Sequence, residues 1–171
     1  MPKINFQGRS YRIHTELPTV GSKAPDFSLV NTDLNDVTLA HWLGMRKILN
    51  IFPSIDTLVC AKSVFEFERY SKDYDDIAAL MISYDLPFAH GRFRDKHSLR
   101  RVIGLSAIRH MGFGENYGVQ IIEGPLMGMF SRAVVVLDEN NTVVHQEQIE
   151  DISSEPNYVA TYQALGIKIQ D

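Results

Sequence analysis

Three short runs decide what this chain can fold into: Lys47-Ile48-Leu49-Asn50-Ile51-Phe52, Ala78-Ala79-Leu80-Met81-Ile82-Ser83 and Ser131-Arg132-Ala133-Val134-Val135-Val136-Leu137. Near-continuous apolarity over so few residues reads as a strand buried on both faces, inside a sheet covered on both sides. Patterns of helical spacing lie between the runs, at Ala61 to Ser71 and Phe88 to His97, with a shorter one at Met111 to Tyr117 ended by Gly118. Shorter strands are expected at Phe27–Val30, Val37–Leu39 and Val102–Leu105, with a helical turn near Ala40 to Gly44. Thr142 to Gln148 returns on the third run through the turn Asp138-Glu139-Asn140-Asn141, giving a hairpin. Lys3–Phe6 and Ser10–His14 alternate around Gln7-Gly8, a second hairpin at the N-terminus. Pro156 fits the first turn of a last helix reaching about Leu165, capped by Gly166. Strands interleaved with helices give an α/β chain with a central mixed sheet.

At 171 residues the chain is long enough for one domain with a substantial core, and no repeat or linker divides it. A net charge of −4 gives no reason to expect nucleic acid or an acidic membrane as partner. No stretch approaches the ~18 consecutive apolar residues of a membrane span. No apolar core of signal-peptide length opens the chain, so the expected location is cytoplasmic. The histidines at 14, 41, 90, 97, 110 and 145 lack metal-ligand spacing, and neither a metal nor a cofactor is expected. No Ser-His-Asp arrangement stands out.

Cys60 is the only cysteine, which excludes an internal disulfide. It sits between the first buried run and the first helix, where backbone N–H groups and the helix dipole favour an anion. A lone cysteine is more often a small buried hydrophobe. Thr57, three residues earlier, counts against that: as N-cap it can accept from the Cys60 N–H, which sets a hydroxyl beside a thiol. Pro53 either shields the sulfur from water or simply ends the strand. Asp56 is expected to point away from the sulfur, in a capping role. Arg132 opens the third run; it is either a solvated strand end or a fixed cation beside the thiolate. Composition does not choose between these readings.

The pattern Pro53-x-x-x-Thr57-x-x-Cys60 after a hydrophobic strand resembles the peroxiredoxins, and the whole chain looks like their thiol peroxidase subgroup. Gly21-Ser22-Lys23-Ala24-Pro25, Asp85-Leu86-Pro87-Phe88-Ala89, Glu123-Gly124-Pro125-Leu126 and Glu155-Pro156-Asn157-Tyr158 extend the likeness almost to the C-terminus. It implies a thioredoxin-like fold over residues 1–171, with residues 1–16 as a hairpin extension. It implies that Cys60 attacks a hydroperoxide and becomes a sulfenic acid, with Thr57, Arg132 and Pro53 completing the site and Thr57 and Arg132 binding substrate. A homodimer is expected by the same likeness.

One departure stands out. The subgroup usually carries a second, resolving cysteine in the helix after Leu86-Pro87-Phe88, where this chain has Arg94. An external thiol (thioredoxin, glutathione or similar) is then needed to reduce the oxidised Cys60. Arg92, Arg94 and Lys96 form part of a basic segment with Arg100 and Arg101; it is either a solvated helix face or a lure for an anionic thiol. A peroxide sensor passing oxidation to a partner by mixed disulfide is the alternative to an enzyme. A non-catalytic module is disfavoured by the joint presence of Pro53, Thr57, Cys60 and Arg132.

Overall fold

The computed structural model describes residues 1–168; the last three positions of the expected domain lie outside the described residues. The three apolar runs become adjacent central strands: β5 (Arg46–Ile51), β6 (Ile77–Ser83) and β8 (Ala133–Leu137). With β3 (Leu29–Val30), β4 (Asp36–Val37), β7 (Val102–Ser106) and β9 (Val143–Gln148) they form a seven-stranded sheet in the order β4-β3-β7-β6-β5-β8-β9. β5, β6 and β7 run parallel, whereas β8 is antiparallel to β5, so the sheet is mixed as expected.

Period-two alternation splits the core. Leu49 and Ile51 of β5 face one cluster, with Phe27, Trp42, Phe113, Tyr117 and Phe130. Ile48 and Phe52 face the other, packed on α1 (Leu58–Ser71) through Cys60, Val64 and Phe67 and on α4 (Tyr158–Ala164) through Tyr162. α2 (Pro87–Lys96) joins this second face through Ala89 and Phe93. Its seat requires Gly104 in β7, because a Cβ there would come within 2.6 Å of the His90 Cβ. α3 (Phe113–Asn116) and a 3₁₀ turn at Leu39–Trp42 cover the first face. No helix among the described residues is long and apolar enough to cross a membrane.

The N-terminal hairpin forms as expected: β1 (Lys3–Phe6) pairs with β2 (Arg9–Arg12), and Gln7 (φ 50°) and Gly8 (φ 74°) turn in the left-handed region. Its Ile4 joins Ile13, Ile121 and Ile152 in a small third core.

Several boundaries differ from expectation. Phe27 and Ser28 are not strand; the Phe27 N–H is taken by the Asp26 carboxylate (2.8 Å) instead of a ladder. Leu39 leaves its strand for the 3₁₀ turn. α1 starts three residues early, at Leu58, because Thr57 caps it. Asp56 does not cap: its exposed carboxylate faces Arg92 at 3.7 Å. Pro156 lies outside the last helix, whose N-cap is Asn157, bonded to the Ala160 N–H at 3.0 Å.

Candidate active site

Parallel β5 and β6 end at the same edge of the sheet, and the chain leaves β5 there through Phe52 and Pro53. Thr57 takes an extended conformation (φ −93°, ψ 147°) and its hydroxyl accepts from the Cys60 N–H at 3.3 Å, so Cys60 is the third helical residue. The Thr57 hydroxyl proton points to the Ser54 carbonyl at 3.4 Å. Cys60 itself is fully buried.

Arg132 arrives from 72 residues away. β8 pairs antiparallel with β5, matching Ala133 to Ile51, so the residue before Ala133 falls at the end where β5 gives way to the Cys60 loop. Its side chain is 2% exposed, which rules out the solvated strand end. Nη2 donates to Cys60 Sγ at 3.3 Å and Nε to the Ile152 carbonyl at 3.0 Å. Nη1 is buried with no partner among the described residues. The hairpin secures this anchor: Asn5 donates to the Glu150 carbonyl (2.7 Å) and accepts from the Ile152 N–H (3.1 Å).

Pro53, Thr57 and Arg132 share a cavity of about 420 Å³, walled by Phe6, Leu58, Val59, Leu126, Met129 and Ile152. The cavity is a mostly apolar mouth that reaches Thr57 and Arg132, and the buried Cys60 sulfur, not itself a lining residue, joins it through its bond to the guanidinium. Sequence reasoning missed Phe6, Leu126, Met129 and Ile152, since apolar residues at a strand end or in loops carry no signal of which cavity they line.

The basic segment divides. Arg92 and Lys96 line a second groove of about 380 Å³ with Asp56, Thr57 and Leu58. Leu58, 90% exposed, is the ridge between groove and cavity. Arg94 turns elsewhere, to Thr32 Oγ1 and the Asp95 carboxylate, both at 3.1 Å. Arg101 binds the Ser71 and Tyr74 carbonyls and Asp75, away from the site.

Two histidines have defined settings. His90 is buried against Ser83, and burial depresses its pKa to about 4, with the Asp85 charge opposing. His110 meets Ser28 (3.3 Å) and Asp36 (2.9 Å), but both reach its Nε2, so it cannot relay a proton between them as a catalytic triad does.

The family described as Redoxin matches residues 19–162. The chain belongs to the Redoxin family. Within it, this redoxin is a peroxiredoxin of the thiol peroxidase group: it is 42% identical over 166 residues to the thiol peroxidase of Corynebacterium glutamicum, covering 97% of this chain and 100% of that one. The crystal structure of a peroxiredoxin-like protein from Aquifex aeolicus superimposes with a TM-score of 0.89 at 28% identity, over 96% of each chain. The thiol peroxidase from Chromobacterium violaceum shares the fold, with a TM-score of 0.89 at 24% identity, over 96% of this redoxin and 95% of that chain. The fold is thus thioredoxin-like, with the N-terminal hairpin added.

Proposed function

We propose that this redoxin reduces hydrogen peroxide and alkyl hydroperoxides at Cys60 and is returned to the thiol by an external reductant. The observation that carries the reading is the Arg132 guanidinium 3.3 Å from Cys60 Sγ, with its buried Nη1 unpartnered among the described residues. A free buried donor beside a sulfur supports a place for an oxygen that arrives with substrate.

The Cys60 thiolate attacks the nearer peroxide oxygen in line with the O–O bond. That bond breaks, its electron pair leaves on the distal oxygen, and a proton from solvent makes it water or an alcohol. Sulfur is oxidised to the sulfenic acid. Charge moves from sulfur to the leaving oxygen during attack, so the unpartnered Arg132 Nη1 acts most strongly at the transition state, joined by the Thr57 hydroxyl and the Cys60 N–H when these turn from the Ser54 carbonyl and Thr57 Oγ1. Pro53, with no N–H of its own, removes one backbone donor from the rim of the site. The apolar mouth suits an alkyl tail as well as a bare peroxide.

Recovery consumes two thiols. The first attacks the sulfenic sulfur, releases water and leaves a mixed disulfide; the second displaces the Cys60 thiolate and forms the disulfide of the reductant. Thioredoxin, glutathione or a similar thiol fits this stoichiometry. The groove bearing Arg92 and Lys96 supports recruitment of an anionic thiol, whereas Arg94, held by Thr32 and Asp95, does not line it. A reducing, cytoplasmic setting fits this cycle, because oxidised Cys60 needs a supply of thiol to return to its starting state. Exposed Leu86, Phe88 and Met111 support a homodimer contact, since the Tyr84 hydroxyl lies 3.3 Å from the Met111 carbonyl and so sets the two segments side by side. The clamp of Asn5 on Glu150 and Ile152 supports residues 1–171 acting as one domain, with residues 1–16 as its extension.

The test is mass spectrometry of Cys60 after one equivalent of peroxide, followed by turnover with dithiothreitol or glutathione at low and high salt. Sulfenic acid and many turnovers are expected, with salt slowing glutathione more than the neutral thiol. An unmodified Cys60 overturns the reading. A single turnover ending in a trapped protein adduct replaces the enzyme with a peroxide sensor.

A further inference from the structure

We infer that Asp85 is a positioning residue for the peroxide reaction, acting on Cys60 through the loop that carries Pro53 and Thr57. The inference rests on Cys60 as the peroxide-reacting group. Asp85 follows β6, whose end lies beside the end of β5, and this adjacency brings it to a loop 30 residues earlier in the chain.

Its carboxylate takes three donors. Oδ1 accepts from the Ser54 hydroxyl at 2.8 Å. Oδ2 accepts from the Ile55 N–H at 2.7 Å and the Ser83 hydroxyl at 2.6 Å. The loop then passes the restraint on: the Ser54 carbonyl accepts from the Thr57 N–H (3.2 Å) and hydroxyl (3.4 Å), and Thr57 Oγ1 accepts from the Cys60 N–H (3.3 Å). From Asp85 to the nucleophile the connection is continuous.

Asp85 lies one position outside the N-cap of α2, which is Leu86 with no side-chain cap bond, and its carboxylate turns onto the Cys60 loop. Ser83 has one hydroxyl proton and gives it to Asp85, so the 3.0 Å contact with His90 runs from His90 Nε2–H to Ser83 Oγ. Burial keeps that imidazole neutral near pH 7, so it orients Ser83 without cancelling the Asp85 charge. The bonds to Ser54 and Ile55 therefore keep their charge-assisted strength.

Positioning matters because the donors must meet an oxygen that exists only during reaction, and a misplacement of about 1 Å costs roughly a hundredfold. Asp85→Asn replaces one acceptor oxygen by an NH₂ that faces another donor. Its second-order rate constant with hydrogen peroxide is expected to fall about tenfold to a hundredfold. Ser54→Ala, which deletes one small hydroxyl, should lose about threefold or more, and the double variant should be no slower than Asp85→Asn alone, as members of one network behave. The pH profile of Cys60 alkylation by iodoacetamide should be displaced in Asp85→Asn. Ala78→Gly, a destabilising change in the β6 core, should leave both readouts at the parent values.

Parent-like rates and alkylation profiles in folded Asp85→Asn and Ser54→Ala, with a parent that oxidises normally, overturn this inference and leave the proposed function intact. A parent whose Cys60 ignores peroxide overturns the proposed function itself. Where Asp85→Asn does not fold, Ser54→Ala decides: a slowed reaction supports the tether and a parent-like one refutes it.

Discussion

Replacing Arg132 by Met or Lys separates charge from geometry at the site. At 3.3 Å, a guanidinium and a full thiolate charge attract by about 5 kcal/mol for an effective dielectric of about 20. Only part of that accelerates the attack, since the attraction also favours the thiolate before it reacts. On the proposed function, the part gained at the transition state comes from Nη1, the donor with no partner among the described residues. Losing one such preorganised donor costs about 3–4 kcal/mol, or roughly 10² to 10³ in rate. Arg132→Met is therefore expected to lower the second-order rate constant with hydrogen peroxide by about that factor. Arg132→Lys keeps a cation, but a single ammonium cannot hold the Ile152 carbonyl, the sulfur and an oxygen in one plane, so about a tenfold loss is expected. Stopped-flow competition against a reference peroxidase gives the rates, with sulfenic acid trapped on Cys60 as the product check. Both variants should fold, because Arg132 pairs with no carboxylate among the described residues. A folded Met variant within threefold of the parent would refute the role given to this guanidinium.

Two further outcomes follow from single contacts. Thr57→Val removes the N-cap of α1 and should lower stability by about 1 kcal/mol in a denaturant titration, with peroxide reactivity falling at least tenfold; Thr57→Ser should restore both. His90 takes its proton only near pH 4 when folded but near about 6.5 when unfolded, so the unfolded chain binds the extra proton between these values. Stability is thus fully present above about pH 6.5 and drops by up to about 3 kcal/mol as pH falls toward 4. His90→Gln should flatten the pH dependence of the urea midpoint in that window, and an unchanged slope would show that the imidazole titrates normally.

Local patterns carried much of this protein in the sequence. The three apolar runs named the central strands because a strand buried on both faces must be apolar at successive positions, and Thr57 with Cys60 was readable because a cap acts over three residues. Arg132 was visible only as two open readings, resolved by resemblance, since its partner lies across the sheet. Arg94 and Arg92 look equivalent in a basic run, yet helix rotation sends one to Thr32 and the other to the groove beside Thr57. Asp85 gave no sign of reaching across to Ser54 and Ile55. Sequence alone therefore determined the main elements and the capped setting of Cys60, which depend on neighbours a few residues apart. Tertiary structure decided which distant donors converge on the sulfur, because strand order and register, set by long-range packing, place them there.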